Sequence, residues 1–213
     1  MKKIFPFLLL LLTLASCHKN PDMSKLDNDF LVFTDHDKDA KFDSFTTFYL
    51  PDSILIIGEN EHPKFWTTNG AEDIVTTFVN NMESRGFKRT FDKEHADLGL
   101  QISYVENTSY FTDYAGGYND TYWWWGYPGY WTPGYWGSSW GNWYYSYPVI
   151  YSYSVGSLLT ELVNLDAQPT SQKLPVVWTA YMSGLLSGSN KFDTQLAVRA
   201  VEQAFVQSPY IKK

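Results

Sequence analysis

Two stretches of the chain carry apolar residues at helical spacing. The first places them at every fourth position, at Ile74, Phe78 and Met82. Asn69 and Glu72 resemble a capping box at its start, and Gly86 stands where such a helix would end. The second stretch ends before Pro209, and its apolar face consists of Leu196, Ala197, Ala200, Val201, Ala204 and Phe205. This spacing predicts two amphipathic helices.

Other stretches show the patterns of strands. From Asp97 to Val105, apolar and polar side chains alternate, which predicts a half-buried strand. The segments 42–49 and 53–57 are rich in β-branched and aromatic residues, and they predict a strand and a second extended piece on either side of a turn. The segments 149–164 and 174–182 predict a hairpin, with Gly156 at a bulge or bend.

The order of these elements is strand, helix, strand, insertion, hairpin, helix. It predicts an α+β, two-layer domain in which two helices cover one face of a mainly antiparallel sheet. This domain is expected to occupy residues 30–213 and to carry an aromatic-rich insertion at 110–148.

The N-terminus has the anatomy of a signal peptide. Lys2 and Lys3 precede an apolar run over residues 4–15. A run of this length is too short to cross roughly 30 Å of hydrocarbon as a stable helix. The run ends in Leu14-Ala15-Ser16-Cys17, which resembles the lipobox of bacterial lipoproteins.

The lipobox resemblance implies a defined maturation. Residues 1–16 would be the signal peptide, cleavage would fall between Ser16 and Cys17, and Cys17 would carry a thioether-linked diacylglycerol and an acylated amine. Two or more acyl chains give firm anchoring where one would be marginal. Cys17 is also the only cysteine, so we expect the mature domain to contain no disulfide.

The residues after Cys17 indicate where the anchor places the domain. Residues 17–29 are polar and predict a flexible tether, which at about 3.3 Å per residue reaches some 40 Å. His18 stands where the inner-membrane retention signal of enterobacterial lipoproteins has Asp, so we expect the outer membrane. Because no acidic run of the kind seen in surface-export signals follows Cys17, the periplasmic side is favoured, with the cell surface as the alternative.

The net charge of the chain excludes some classes of binding partner. The full chain has a formal net charge of −7. Loss of Lys2 and Lys3 leaves 14 basic against 23 acidic residues, a net charge of −9. This balance argues against nucleic-acid binding and against electrostatic docking on anionic lipid. The membrane is therefore expected as a partner through the lipid anchor alone.

Aromatic residues make up 18% of the chain, and their excess is local. Residues 110–153, here called the aromatic segment, contain 20 of the 39 aromatic residues and only two charged ones. Tyr145, Tyr147, Val149, Tyr151 and Tyr153 would share one face of an extended chain.

Three interpretations of the aromatic segment are open: a self-packed loop or hairpin, a recognition surface for an envelope protein or a glycan, and insertion into the membrane interface. The candidate binding surface consists of Trp123, Trp124, Trp125, Tyr127, Tyr130, Trp131, Trp136 and Trp143.

No motif in the sequence predicts catalysis. Residues 137–141 match the G-x-S-x-G pattern of hydrolases, but no histidine follows them. The alternating acids of residues 35–39 lack the Gly and Glu of a calcium loop and favour a solvated turn. His62 and His95 lie beside acidic residues without the spacing of a zinc site. We therefore expect no enzymatic activity, no metal and no cofactor.

Several structural motifs resemble a known lipoprotein family. They are Tyr153 to Leu158 with Glu161 to Asn164, Lys173 to Trp178 with Gly184, the closing helix to Phe205, and the strand-like stretches Phe45 to Leu50 and Ala96 to Tyr104. Together they resemble the family called domain of unknown function 4136 over most of residues 30–210. The chain departs from the family pattern at Asn164, where an acid is usual, and at Pro175, which implies an edge position or bulge.

The family resemblance implies a fold and a place in the cell envelope, without an activity. The sequence as a whole predicts a non-enzymatic envelope lipoprotein with a structural or binding purpose. The alternative is a glycan- or peptidoglycan-binding module that uses the Trp and Tyr residues of the aromatic segment.

Overall fold

The computed structural model describes residues 30–57, 64–67, 69–106, 144–145, 154–167, 173–188 and 191–213. Two α-helices lie in these ranges, α1 (Ala71–Ser84) and α2 (Thr194–Gln207), with short 3₁₀ helices at Phe42–Ser44 and Lys93–His95. The strands of the same ranges are β1 (Leu31–His36), β2 (Thr47–Tyr49), β3 (Ile54–Ile57), β4 (Lys64–Trp66), β5 (Lys88–Thr90), β6 (Leu98–Val105), β7 (Tyr144–Tyr145), β8 (Ser157–Asn164), β9 (Lys173–Leu174), β10 (Val176–Ser183), β11 (Leu186–Ser187) and β12 (Lys191–Phe192).

One sheet organises the described part of the chain. Its strand order is β1-β10-β8-β6-β2-β5, with β3 also paired to β6 and β4 paired to β3. The long strands β1, β10, β8 and β6 are antiparallel neighbours, whereas β2 and β3 run parallel to β6 and β5 runs parallel to β2. The sheet is therefore mixed, with an antiparallel centre. Strand β1, at one edge, has no counterpart in the sequence predictions.

Strands β2 and β3 lie one after the other along β6. Phe48 pairs with Leu98, and Leu55 pairs with Ser103. The two pieces run in the same direction and are separated by a bend at 52–53, so both the predicted turn between them and the prediction of one strand over 42–49 are wrong. Residues Phe42–Ser44 form a 3₁₀ helix because both Phe42 and Phe45 enter the core, which an extended chain could not allow at a spacing of three residues.

Both helices pack on the same face of the sheet, which confirms the α+β two-layer prediction. The apolar residues of this face come from the three central strands: Leu98, Leu100, Ile102, Leu158, Leu162, Trp178, Ala180 and Met182. They form one buried cluster with Phe78 of α1 and Phe205 of α2, whose rings meet at 5.8 Å between centroids. Helix α2 ends at Gln207, before Pro209, as its sequence predicts.

The prediction for α1 is wrong at the start of the helix and confirmed at its end. The capping box at Asn69 is wrong, because Gly70 occupies the N-cap position with φ +88° and makes no side-chain cap. A Cβ at position 70 would overlap Thr194 at the start of α2, so the close approach of the two helix starts requires glycine there. The C-terminal prediction is confirmed, since Gly86 has φ +95° and its N–H donates to the Glu83 carbonyl at 3.0 Å.

Strand β6 is buried on both faces, so the prediction that it is half-buried is wrong. Leu100 and Ile102 face the helices, while Gln101 and Ser103 point to the opposite face and are buried too. We call this opposite side the second face of the sheet. On it, Ile57, Val105, Leu159 and Tyr181 form a separate apolar cluster. Alternation along the sequence correctly predicts which residues share a face but not that the polar face is covered.

The predicted hairpin exists with different boundaries. Strand β8 begins at Ser157, and Gly156 forms a turn with φ +75°, which agrees with the predicted bend and not with a bulge; residues 149–153 of the predicted strand lie outside the described residues. The predicted strand 174–182 is divided at Pro175 into β9 and β10, and the register with β8 shifts between Val176 and Trp178. The bulge that Pro175 implied is thus present, although β10 is not an edge strand.

Candidate functional site

The residues that the sequence singles out for function fall outside the described part of the chain. This holds for Ser16 and Cys17 and for the whole candidate binding surface: Trp123, Trp124, Trp125, Tyr127, Tyr130, Trp131, Trp136 and Trp143. Of the aromatic segment, the structure describes only Tyr144–Tyr145, which form β7 and pair in parallel with β9. These assignments therefore remain predictions.

The described residues show where the aromatic segment joins the fold. It leaves after β6 and returns before β8, and these strands are antiparallel neighbours that pair Val105 with Ser157. The N–H of Glu106 donates to the Ile57 carbonyl at 2.8 Å, and the N–H of Gly156 donates to the Val105 carbonyl at 2.9 Å. Both junctions are thus fixed at one end of the sheet, and the aromatic segment is an insertion into a β-hairpin.

Where the chain returns from the aromatic segment to β8, it is hydrogen-bonded to a side chain of the second face. Tyr181, on β10, accepts a hydrogen bond at its hydroxyl from the Ser154 N–H at 2.8 Å, and the two side-chain hydroxyls lie 2.9 Å apart. The Ser157 hydroxyl donates to the Ser154 carbonyl at 2.6 Å. The chain therefore enters β8 from the side of the sheet that faces away from the helices.

A row of polar side chains crosses the second face. Gln101, Glu161 and Thr179 are direct partners on the adjacent strands β6, β8 and β10. The side chain of Glu161 is only 1% exposed, and the Gln101 amide donates to it. A buried carboxylate is costly unless it accepts hydrogen bonds, so this row needs polar partners. The sequence patterns did not predict this row of polar side chains. The one sign of it is Glu161, an acidic residue within the apolar run of β8.

On the helix side of the same sheet end, three aromatic rings pack edge to face. Tyr104 lies 6.0 Å from Trp66 and 5.1 Å from Phe192, and Trp66 and Phe192 are 5.2 Å apart between centroids. All three are partly exposed. Burial raises the pKa of Tyr104 above its usual value, and the carboxylate of Glu106 adds to this rise. This end of the sheet thus combines half-buried rings with the two junctions of the aromatic segment.

The acidic and histidine clusters that the sequence singles out lie at the surface where they are described: residues 35–36 end β1, a turn follows at 38–39, and His95 ends a short 3₁₀ helix. Asp37 and Asp39 are exposed, and the Asp39 N–H donates to the Asp37 carboxylate at 2.9 Å, as in a solvated turn. His95 lies 2.8 Å from Asp92, and its hydrogen bond lowers the pKa of that carboxyl. His62 is outside the described residues. Within the described ranges, no three His, Cys, Asp or Glu side chains converge as metal ligands would.

Neither described helix is both long enough and apolar enough to cross a bilayer.

The fold defines the class of protein: an α+β domain whose mixed sheet carries two helices on one face and a long hairpin insertion at one end. The family model described as Domain of unknown function (DUF4136) matches residues 32–210, and the chain belongs to this family. It is similar to a DUF4136 family protein from Bacteroides thetaiotaomicron, known from its crystal structure, with 50% identity and a TM-score of 0.74. The match covers 87% of this chain and 99% of that one. No curated protein matches.

Proposed function

We propose that this protein is a non-enzymatic lipoprotein of the bacterial outer membrane, facing the periplasm, whose domain serves a structural or binding purpose. The observation that carries the proposal is the lipobox at Leu14-Ala15-Ser16-Cys17, with the chain's only cysteine at the position to be acylated.

The position of β1 is consistent with this anchor. The sheet begins at Leu31, shortly after the polar residues 18–29 that follow Cys17. Because β1 is an edge strand, a chain arriving from the membrane reaches the fold without passing between other strands. A tether of about 40 Å would let the domain work away from the bilayer surface.

Replacement of Cys17 by alanine tests the anchor. C17A should accumulate as uncleaved precursor without acyl label, because no other thiol is present to accept diacylglycerol. The measurement is incorporation of labelled palmitate, together with the mass of the chain and its membrane fraction. Ser24→Ala, within the predicted tether, is the control and should label and fractionate as wild type. Normal acyl labelling of C17A would contradict the anchoring proposal.

The second candidate function is glycan or peptidoglycan binding through the aromatic segment. It is favoured by the fixed junctions at Glu106 and Ser154, which would display the segment at one end of a stable sheet. Trp and Tyr rings combine a large apolar area with a polar group, and such residues dominate binding hot spots.

Alanine substitution of three indoles tests this candidate. The triple variant Trp123→Ala, Trp125→Ala, Trp131→Ala should lose at least about tenfold in retention on peptidoglycan or polysaccharide, because hot-spot residues typically contribute more than about 1.4 kcal/mol each. Phe91→Ala is the control, since Phe91 is 76% exposed and lies outside the aromatic segment. Equal retention of the triple variant and wild type would refute glycan binding by these residues.

A further inference from the structure

The first residues of β1 lie at a defined end of the sheet. Val32 of β1 and Leu158 of β8 both pair with Met182 of β10, so the start of β1 is at the same end of the sheet as the start of β8. We call this end the tether end, because the chain that follows Cys17 reaches the sheet there, at Leu31.

Exposed apolar side chains are concentrated at the tether end. Of the five large apolar side chains that are exposed in the described ranges, three lie there. Leu31 and Phe33 share one face of β1 and are 63% and 48% exposed, and Val155, in the turn before β8, is 39% exposed. Only β10 separates β1 from β8, a distance of about 10 Å at about 4.8 Å per strand. Single exposed apolar residues are ordinary, but a group of them indicates a contact surface.

The polarity of β1 changes along the strand. Asp35 follows Phe33 on the same exposed face, about 7 Å further along at about 3.3 Å per residue. Asp37 and Asp39 lie beyond it and are exposed. Because a carboxylate is costly to remove from water, only the first half of β1 suits an apolar environment.

The open edge of β1 is poorly suited to pairing with another strand. The Asp37 N–H donates to the Val177 carbonyl at 3.0 Å, so the N–H of His36, the residue before it, points to the open edge. There it donates to the Asp35 carboxylate at 2.8 Å. An N–H that a side chain already engages does not extend a ladder, and charged residues commonly protect edge strands. The exposed residues of β1 therefore favour an apolar environment over a partner strand.

The length of the tether brings a lipid surface to this end of the domain. Residues 17–29 reach at most some 40 Å at about 3.3 Å per residue, and they end next to the exposed residues of β1. Contact between an anchored domain and its own bilayer is effectively intramolecular, so a weak apolar interaction is sufficient. A tether of this length permits the domain to stand away from the bilayer or to rest on it. The composition of the surface at the point of attachment then decides between the two.

The charged side chains around the tether end are of both signs. Arg199 of α2 lies over the ring of Phe30, 5.3 Å from its centroid, where the chain enters the fold. A mixed surface of this kind suits zwitterionic headgroups, and long basic side chains can reach lipid phosphates while their stems stay in apolar surroundings. The described charged residues at this end are the basic Lys64, Lys191 and Arg199 and the acidic Glu72, Asp73, Glu106 and Asp193.

We propose that the tether end of the domain rests on the periplasmic leaflet of the outer membrane, with Leu31, Phe33 and Val155 in the zwitterionic lipid interface. This seating rests on the lipid anchor proposed for Cys17, which holds the surface near the bilayer. The contact gives the domain a second point of attachment and a fixed orientation. The start of β1 faces the lipid, and the acidic residues 37–39 face the periplasm.

Cysteine reporters measure how close this surface lies to the lipid. Phe33→Cys and Val206→Cys each introduce the only free thiol of the chain once Cys17 is acylated, and each is labelled with bimane. Val206 is the matched control, because it is 68% exposed and lies near the end of α2, about 18 Å along the helix from its start. The acylated chain is placed in vesicles of phosphatidylethanolamine and phosphatidylcholine. Nitroxide groups on the acyl chains of the lipid should quench the F33C reporter at least about twofold more than the V206C reporter.

A second measurement separates apolar contact from mere proximity to the anchor. With the reporter at Val155→Cys, the double substitution Leu31→Ser, Phe33→Ser should reduce the quenching by at least about half, because the apolar contact is lost while the anchor remains. The Tm of this variant should stay within about 3 °C of wild type, since both side chains are largely exposed.

The results that would overturn the proposal differ in what they leave standing. Equal quenching of F33C and V206C in acylated chains would place the domain away from the bilayer and would leave the lipid anchor intact. Absence of acyl label on Cys17 would remove the anchor and this orientation with it. A blue shift of the F33C emission that grows with protein concentration in detergent micelles, without quenching in vesicles, would assign the surface to a second copy of the chain.

Discussion

Replacing Trp178 by alanine should lower the free energy of unfolding by about 3–5 kcal/mol. Trp178, the third residue of β10, is 1% exposed, and its ring centroid lies 5.4 Å from that of Phe205 on α2. Its indole N–H donates at 2.9 Å to the hydroxyl of Ser208, the C-cap residue directly after α2. The side chain thus fills the core and ties the end of α2 to the sheet. Since domains are stable by only about 5–15 kcal/mol, this loss is a large share.

Two further variants separate packing from hydrogen bonding at this position. Trp178→Phe keeps most of the apolar area and loses the bond to Ser208, so it should cost less than W178A. Ser208→Ala leaves the indole N–H buried without its acceptor and should cost about 1–3 kcal/mol. The measurement is urea unfolding followed by far-UV circular dichroism, because tryptophan fluorescence changes with the substitution itself. If W178A and W178F were equally destabilised, packing of the indole would not be the main contribution.

The helices and the central strands could be predicted from the sequence because their signals are local. Ile74, Phe78 and Met82 repeat with the period of a helix, and all three are buried. Gly86 ends α1 because a left-handed residue is needed there. The start of α1 could not be predicted in the same way. Gly70 is required by its approach to Thr194, a contact between residues far apart in the sequence.

Strand β1 was not predicted because its local pattern is weak. Its residues alternate between exposed and partly buried positions, with Leu31 and Phe33 on the exposed side. What holds it in the sheet is backbone pairing with β10, for example of Thr34 with Ala180, and such pairing leaves no periodicity in the sequence. Edge strands are for this reason harder to predict than central ones.

The polar row of the second face was missed for a related reason. Gln101 alternates with apolar neighbours on β6, and alternation is normally read as one buried and one solvated face. Whether the polar face is covered depends on residues outside β6, so the sequence of β6 carries no sign of it, and the one sign elsewhere is Glu161 within the apolar run of β8. For the candidate residues Cys17 and Trp123 the only support is a sequence motif and the local composition, so their roles remain predictions.

Replacing Gly156 by alanine should destabilise the domain by about 2–4 kcal/mol, through two separable causes. Gly156 has φ +75°, a backbone conformation that costs a non-glycine residue about 1–2 kcal/mol. A Cβ at this position would also overlap the Leu186 side chain on β11 and lie 2.9 Å from its Cδ1. The position matters for the insertion, because the Gly156 N–H bonds to the Val105 carbonyl where the aromatic segment returns to the sheet.

A double-mutant cycle with Leu186→Ala separates the two causes. Leu186→Ala alone removes a partly buried side chain and should cost less than G156A. In the double variant the overlap is gone but the backbone strain remains, so the loss should be at least about 1 kcal/mol smaller than the sum of the two single losses. Both are measured by urea unfolding. Strict additivity would mean that the overlap contributes nothing and that strain at Gly156 alone destabilises the junction. A loss in the double variant that is smaller than this sum would show that the Leu186 side chain of β11 packs against Gly156 at this junction.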